Sequence, residues 1–88
     1  MIIGKVIGSI VSTRKSDNLI GNKFMIVEPV QSMSGNGNQL VAIDNIGAGI
    51  GEYVMVATGS AARVGTGNPD APIDAAIVGI VDDVSKLL

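Results

Sequence analysis

The opening stretch MIIGKVIGSIVS, residues 1–12, decides the fold class. It is rich in Ile and Val, and it sets Gly4 and Gly8 four residues apart inside that apolar run. β-Branched residues favour strands, whereas a glycine within a strand marks a bend, a bulge or a close approach of backbones. The pattern predicts one long, strongly curved strand of the kind that closes a barrel. The remainder of the chain repeats the theme of short apolar runs broken by polar or glycine-rich segments. Strands are expected at 23–30 (KFMIVEPV, ended or pushed to an edge by Pro29), 39–43, 52–58 (EYVMVAT) and 74–81 (DAAIVGIV). Polar loops are expected at 13–22, 31–38 and 68–72. The only helix signal lies within 59–67, where Ser60 is placed to N-cap Ala61-Ala62-Arg63. The tail sets Val81, Val84, Leu87 and Leu88 at helical spacing but is too short to stand as a helix. The expected architecture is therefore all-β: a five-stranded, oligonucleotide/oligosaccharide-binding-like (OB-like) antiparallel closed barrel with one short helix. Residues 1–88 are read as a single domain, since 88 residues leave no room for a second.

Composition says how such a barrel must live. Hydrophobic residues make up 47% of the chain and charged residues only 16%. A folded monomer of 8.9 kDa exposes roughly 4,800 Å². Its fourteen charged side chains then have about 340 Å² each to cover. Continuous apolar patches result, and self-association is the expected way to hide them. The chain has no Cys and no His, which excludes disulfide scaffolds, thiolate zinc sites, Cys nucleophiles and His bases. A net charge of −2 and a pI near 4.7 argue against binding a phosphate backbone. Phe24 and Tyr53, the only aromatics, are too few for a base-stacking platform. No apolar run reaches the length of a membrane span, and the first residues do not read as a signal peptide. A cytoplasmic protein with no nucleic-acid or membrane partner is expected.

Two glycine-rich segments attract chemical readings. Gly47-Ala48-Gly49-Ile50-Gly51-Glu52 is reminiscent of a dinucleotide fingerprint, but its third glycine comes one position early and a strand rather than a helix follows. A tight turn that lets backbones approach is the better account. Ser60 as a nucleophile lacks a base, so capping, with a weak attraction for small anions, is preferred. Thr13-Arg14-Lys15 reads as a solvated loop or an ion-pairing segment. Asp70, Asp74, Asp82 and Asp83 lack the spacing of a metal-binding loop and read as an acidic edge. Glu28 and Glu52 are placed to pair with Lys5, Lys15 or Arg63, within or between subunits. No catalytic residue, metal site or cofactor is predicted.

The order of these segments resembles the EutN/CcmL family, the pentameric vertex proteins of bacterial microcompartment shells. The resemblance runs through Gly4-Lys5-Val6-Ile7-Gly8, Thr13-Arg14-Lys15, Leu19-Ile20-Gly21 and Val27-Glu28-Pro29. It continues through Ala42-Ile43-Asp44-Asn45-Ile46 and the glycine run into Glu52-Tyr53-Val54, then Gly59-Ser60-Ala61-Ala62-Arg63 and the stretch from Asp74 to Asp82. Residues 31–38 match nothing, as suits a variable surface loop. The resemblance implies a non-enzymatic shell protein. Five OB-like barrels would form a truncated pyramid that plugs a five-fold corner, against facets of hexameric or pseudohexameric shell proteins. Small residues in the two turns would let neighbours pack closely. Gly47, Ala48, Gly49, Ile50, Gly51 and Glu52 are therefore expected at the subunit interface or axial pore, together with Gly59, Ser60, Ala61, Ala62 and Arg63. Glu52 and Arg63 are the candidates for a cross-subunit ion pair. The alternative is an OB-fold module that binds single-stranded nucleic acid or a small ligand.

Overall fold

The computed structural model describes residues 1–11, 23–30, 39–67 and 72–83. The loops expected at 13–22 and 31–38, most of 68–72, the basic Thr13-Arg14-Lys15, Asp70 and the tail beyond residue 83 lie outside the described residues. Among the described residues there are five strands, β1 Ile2–Ile10, β2 Lys23–Pro29, β3 Leu40–Asp44, β4 Tyr53–Thr58 and β5 Ala75–Val81, and one helix, α1 Ser60–Thr66. They close into a barrel in the order β1-β2-β3-β5-β4, with β1 pairing to β4.

β1 is the long curved strand that its sequence requires. Its register against β2 shifts between Val6 and Gly8, so Ile7 is a bulge that bends the strand towards both neighbours. Gly4 sits opposite Pro29, where a Cβ would stand 2.5 Å from Val27 Cγ1 and 2.9 Å from the Glu28 carbonyl oxygen. Only a residue without a side chain allows β1 and β2 to come this close. Pro29 does end its strand, and the next amide, of Val30, donates to the Ile3 carbonyl at 2.9 Å.

One pairing departs from the antiparallel expectation. β3 runs parallel to β5, with Ile43 opposite Ala76, while the other registered pairs are antiparallel. The reason is topological: β4 and α1 intervene, so the chain has returned to the starting end of β3 before β5 begins. A parallel pair needs such a crossover.

Inward residues of all five strands build the core, in which Val6, Val27, Val54, Val56 and Ile77 are shut away from solvent, with Met25, Ala42 and Ala75 between them. A smaller cluster of Ile43, Ala62, Ile73 and Ala76, flanked by Phe24, packs α1 against the barrel through Ala62. The start of that helix corrects the sequence reading. Gly59, at φ 64° and ψ −142°, is the N-cap, no side chain caps the helix, and Ser60 is its first residue. The chain leaving β4 must reverse through a conformation that residues with a Cβ avoid. Glycine therefore takes the cap position, and the Ser60 hydroxyl falls one residue too late. Gly67, in the left-handed conformation, closes the other end by donating to the carbonyls of Arg63 and Val64.

Candidate functional site

The turn between β3 and β4 is built around Asp44. This side chain is 1% exposed, and its carboxylate accepts three backbone hydrogen bonds. Ile46 and Gly47 donate to Oδ1 at 3.0 and 3.2 Å, and Ala48 donates to Oδ2 at 2.9 Å. Three amides converging on one buried carboxylate fix the path of residues 45–48. Ala48 is thereby turned inward and plugs the end of the core. Further on, the Gly51 amide donates to the Val6 carbonyl at 2.7 Å and Val6 donates to that of Glu52 at 2.9 Å, stitching the turn to β1. The Glu52 carboxylate accepts the Gly49 amide. Gly47 and Gly51 both lie at φ 93°.

This frame leaves an apolar exterior. Ile46 is 47% and Ile50 66% exposed, on a turn that is hydrogen-bonded from within. An isoleucine held rigidly in solvent loses little conformational freedom when a partner covers it. The glycine run leads into β4 and not into a helix, so no helix N-terminus is available for a pyrophosphate, as the spacing indicated.

The second segment stands at the far end of β4. Gly59, Ser60 and Ala61 are exposed, Ala62 is buried in the smaller cluster, and Arg63 is partly covered. Arg63 Nη1 donates to the Ile73 carbonyl at 3.2 Å, which steers the guanidinium towards the start of β5. β4 rises roughly 20 Å, Glu52 adjoins the end of β5 and Arg63 is tied to its start, so the two do not meet within one subunit. Each keeps hydrogen-bonding capacity beyond the bond it makes within its own subunit. Beside this segment is an open groove of about 500 Å³ lined by Leu40, Val41, Thr58, Gly59, Asp74 and Ala75.

The structure thus divides the eleven predicted positions into two groups at opposite ends of the barrel. Ala48 and Ala62 face their own subunit's interior, Gly49 and Arg63 are half-covered, and the other seven are exposed. Other candidate partners settle quietly. Lys5 lies opposite Glu28 and Tyr53 on its neighbouring strands, with Nζ 6.0 Å from the centre of the Tyr53 ring. Gln39 Nε2 donates to Glu28 Oε2 at 3.5 Å. Both aromatics are half-buried, Phe24 against the smaller cluster and Tyr53 beneath Lys5. Among the described residues no three His, Cys, Asp or Glu side chains are grouped to hold a metal ion, and no helix is long and apolar enough to cross a membrane.

Sequence reasoning missed the role of Asp44. The available signal was an aspartate at a strand end with glycine three residues on, the pattern in which a carboxylate caps its own turn.

A family model described as "Ethanolamine utilisation protein EutN/carboxysome" matches residues 1–82. The shell vertex protein GrpN of Rhodospirillum rubrum is 47% identical over 88 residues, which cover 99% of each chain. The carboxysome shell vertex protein CcmL of Synechocystis is also 47% identical, over 97% of this chain and 86% of that protein. A solved structure, described as the GrpN pentameric microcompartment shell protein from Rhodospirillum rubrum, superposes with a TM-score of 0.80 at 44% identity. The superposition covers 97% of this chain and 96% of that one.

Proposed function

Because the chain belongs to the EutN/CcmL family, we propose that it is a structural shell protein, five copies of which close into a ring that caps a five-fold vertex of a bacterial microcompartment. The observation that carries this reading is the near full-length likeness to a pentameric shell protein. Its place is the microcompartment shell within the cytoplasm, it is not an enzyme, and residues 1–88 act as one vertex domain. Its partners beyond its own copies are the hexameric or pseudohexameric proteins of the facets. Six-fold tiles alone extend as flat sheets or tubes, and a closed container requires five-fold corners. Shells assembled from facet proteins with this chain should therefore close into polyhedra. Without it, electron microscopy should show open or elongated assemblies, and closed particles of unchanged shape would contradict the proposal.

A five-copy ring is built from heterologous contacts, in which one patch of each copy meets a different patch of the next. The two segments 47–52 and 59–63 are suited to be those patches. They lie at opposite ends of a subunit, and each carries one charge of opposite sign, Glu52 and Arg63. In this arrangement Glu52 of one copy pairs with Arg63 of its neighbour. Charge reversal tests the pairing. Glu52→Arg and Arg63→Glu each set like charges against one another, at a cost of about 2 kcal/mol or more per contact, roughly thirtyfold in association. Each should lose the five-copy mass in native mass spectrometry, and the double exchange should restore part of it, because the reversed pair forms without the Gly49 and Ile73 hydrogen bonds. Rings that survive either single exchange, or that the double exchange fails to rescue, would dissociate this ion pair from the vertex role and leave the latter standing.

A further inference from the structure

We infer that neighbouring copies join head to tail through a knuckle and a groove: the turn bearing Ile46 and Ile50 of one copy seats in the groove lined by Leu40, Val41, Thr58, Gly59, Asp74 and Ala75 of the next. The inference rests on the five-copy reading and specifies the contact that makes it.

Four observations support this occupant. First, the knuckle is preorganised: the Asp44 carboxylate, the Val6 carbonyl and the Glu52 side chain hold it, yet its isoleucines remain in solvent. Rigid apolar anchors of this kind carry a disproportionate share of binding energy. Second, the groove has the complementary character, with apolar walls from Leu40, Val41 and Ala75 and with Val41 left 48% exposed. Third, the two features stand at opposite ends of the barrel. The knuckle follows β3 and precedes β4, whereas the groove gathers the start of β3, the end of β4 and the start of β5. A chain with complementary patches at opposite ends associates head to tail, and the contact closes into a ring when its rotation fits. Fourth, a pair of opposite charges flanks the contact, although the groove's own exposed Asp74 is acidic. Glu52 is the exposed acid that closes the knuckle, and Arg63 is anchored on the Ile73 carbonyl, one residue before the groove's Asp74. Docking the isoleucines brings Glu52 to the guanidinium.

Disulfide trapping tests the contact, because the chain contains no cysteine of its own. Ile50→Cys and Thr58→Cys are introduced together. The bond requires Cα atoms about 4.4–6.8 Å apart. Within one chain β4 separates the two positions by roughly 20 Å. Mild oxidation should then yield a ladder of covalent species up to five chains on a denaturing gel, while each single variant stays monomeric there. The inference is overturned if the double variant shows a five-copy mass without cross-links. It is overturned equally if Ile50→Cys alone cross-links, since the knuckles would then converge around the axis. A chain that never assembles would sink the ring reading along with it. As a second probe, Ile50→Asp should raise the concentration needed for assembly by about tenfold or more, with unchanged β-sheet circular dichroism. Assembly at the wild-type concentration would contradict the docking.

Discussion

Asp44→Ala is expected to lower the stability of the subunit by about 3–4 kcal/mol. The exchange removes a buried carboxylate that accepts from Ile46, Gly47 and Ala48 at 3.0, 3.2 and 2.9 Å. A hydrogen bond to a charged acceptor contributes about 1.5–3 kcal/mol, and a buried donor left without a partner costs a similar amount. The three contributions do not simply add. Ile46 and Gly47 are exposed and recover water, whereas the Ala48 amide is buried and does not. Against a total of roughly 5–15 kcal/mol for a small domain, this loss is large. Thermal unfolding followed at one fixed protein concentration should shift down by about 15 °C or more. Concentration must be held constant because assembly itself stabilises the folded subunit. Asp44→Asn keeps one acceptor oxygen but turns an NH₂ towards a backbone donor, so it should lie between the two. A shift of only a degree or two for Asp44→Ala would mean that the turn is held by other means.

The second large effect distinguishes the inside of the site from its outside. Ala48 and Ala61 are both small residues in the two glycine- and alanine-rich segments, and composition treats them alike. The fold does not: Ala48 is 5% exposed within the main core, and Ala61 faces solvent at the first turn of α1. A leucine at position 48 overpacks the barrel end, at a cost of about 1–3 kcal/mol. The Ala48→Leu variant should therefore unfold at lower temperature and lose its ring as a consequence. A tryptophan at position 61 meets no atom of its own core. Ala61→Trp should keep the subunit's circular dichroism while the five-copy mass disappears, because the added bulk stands where a neighbour must pack. Native-size rings from the Ala61→Trp variant would move this end of the subunit away from the interface.

Local patterns carried most of the barrel. Apolar runs and their glycine or proline breaks placed all five strands with ends within two residues of the observed ones, and Gly4 and Gly8 foretold the bend of β1. What escaped depends on distant parts of the chain or on a single dihedral angle. The parallel contact of β3 with β5 rests on one registered pair, Ile43 with Ala76, thirty-three positions apart. No local periodicity reports such a pairing. Ser60 looked like a cap because serine is a good one, but the positive φ of Gly59 is set by the way β4 must turn. The division of the site was partly implicit in the strand at 52–58, and the bond from Arg63 to the Ile73 carbonyl completes it. The inward orientation of Ala48 and Ala62 was not legible, because it follows from how Asp44 and α1 are anchored.

A weakly charged barrel completes itself in a ring of five. Native mass spectrometry of the unmodified protein measures that directly. Five copies of the 8.9 kDa chain correspond to a particle of about 44 kDa, the result expected for a closed five-fold ring. A lone 8.9 kDa chain at micromolar concentration, or a six-copy particle, would contradict it.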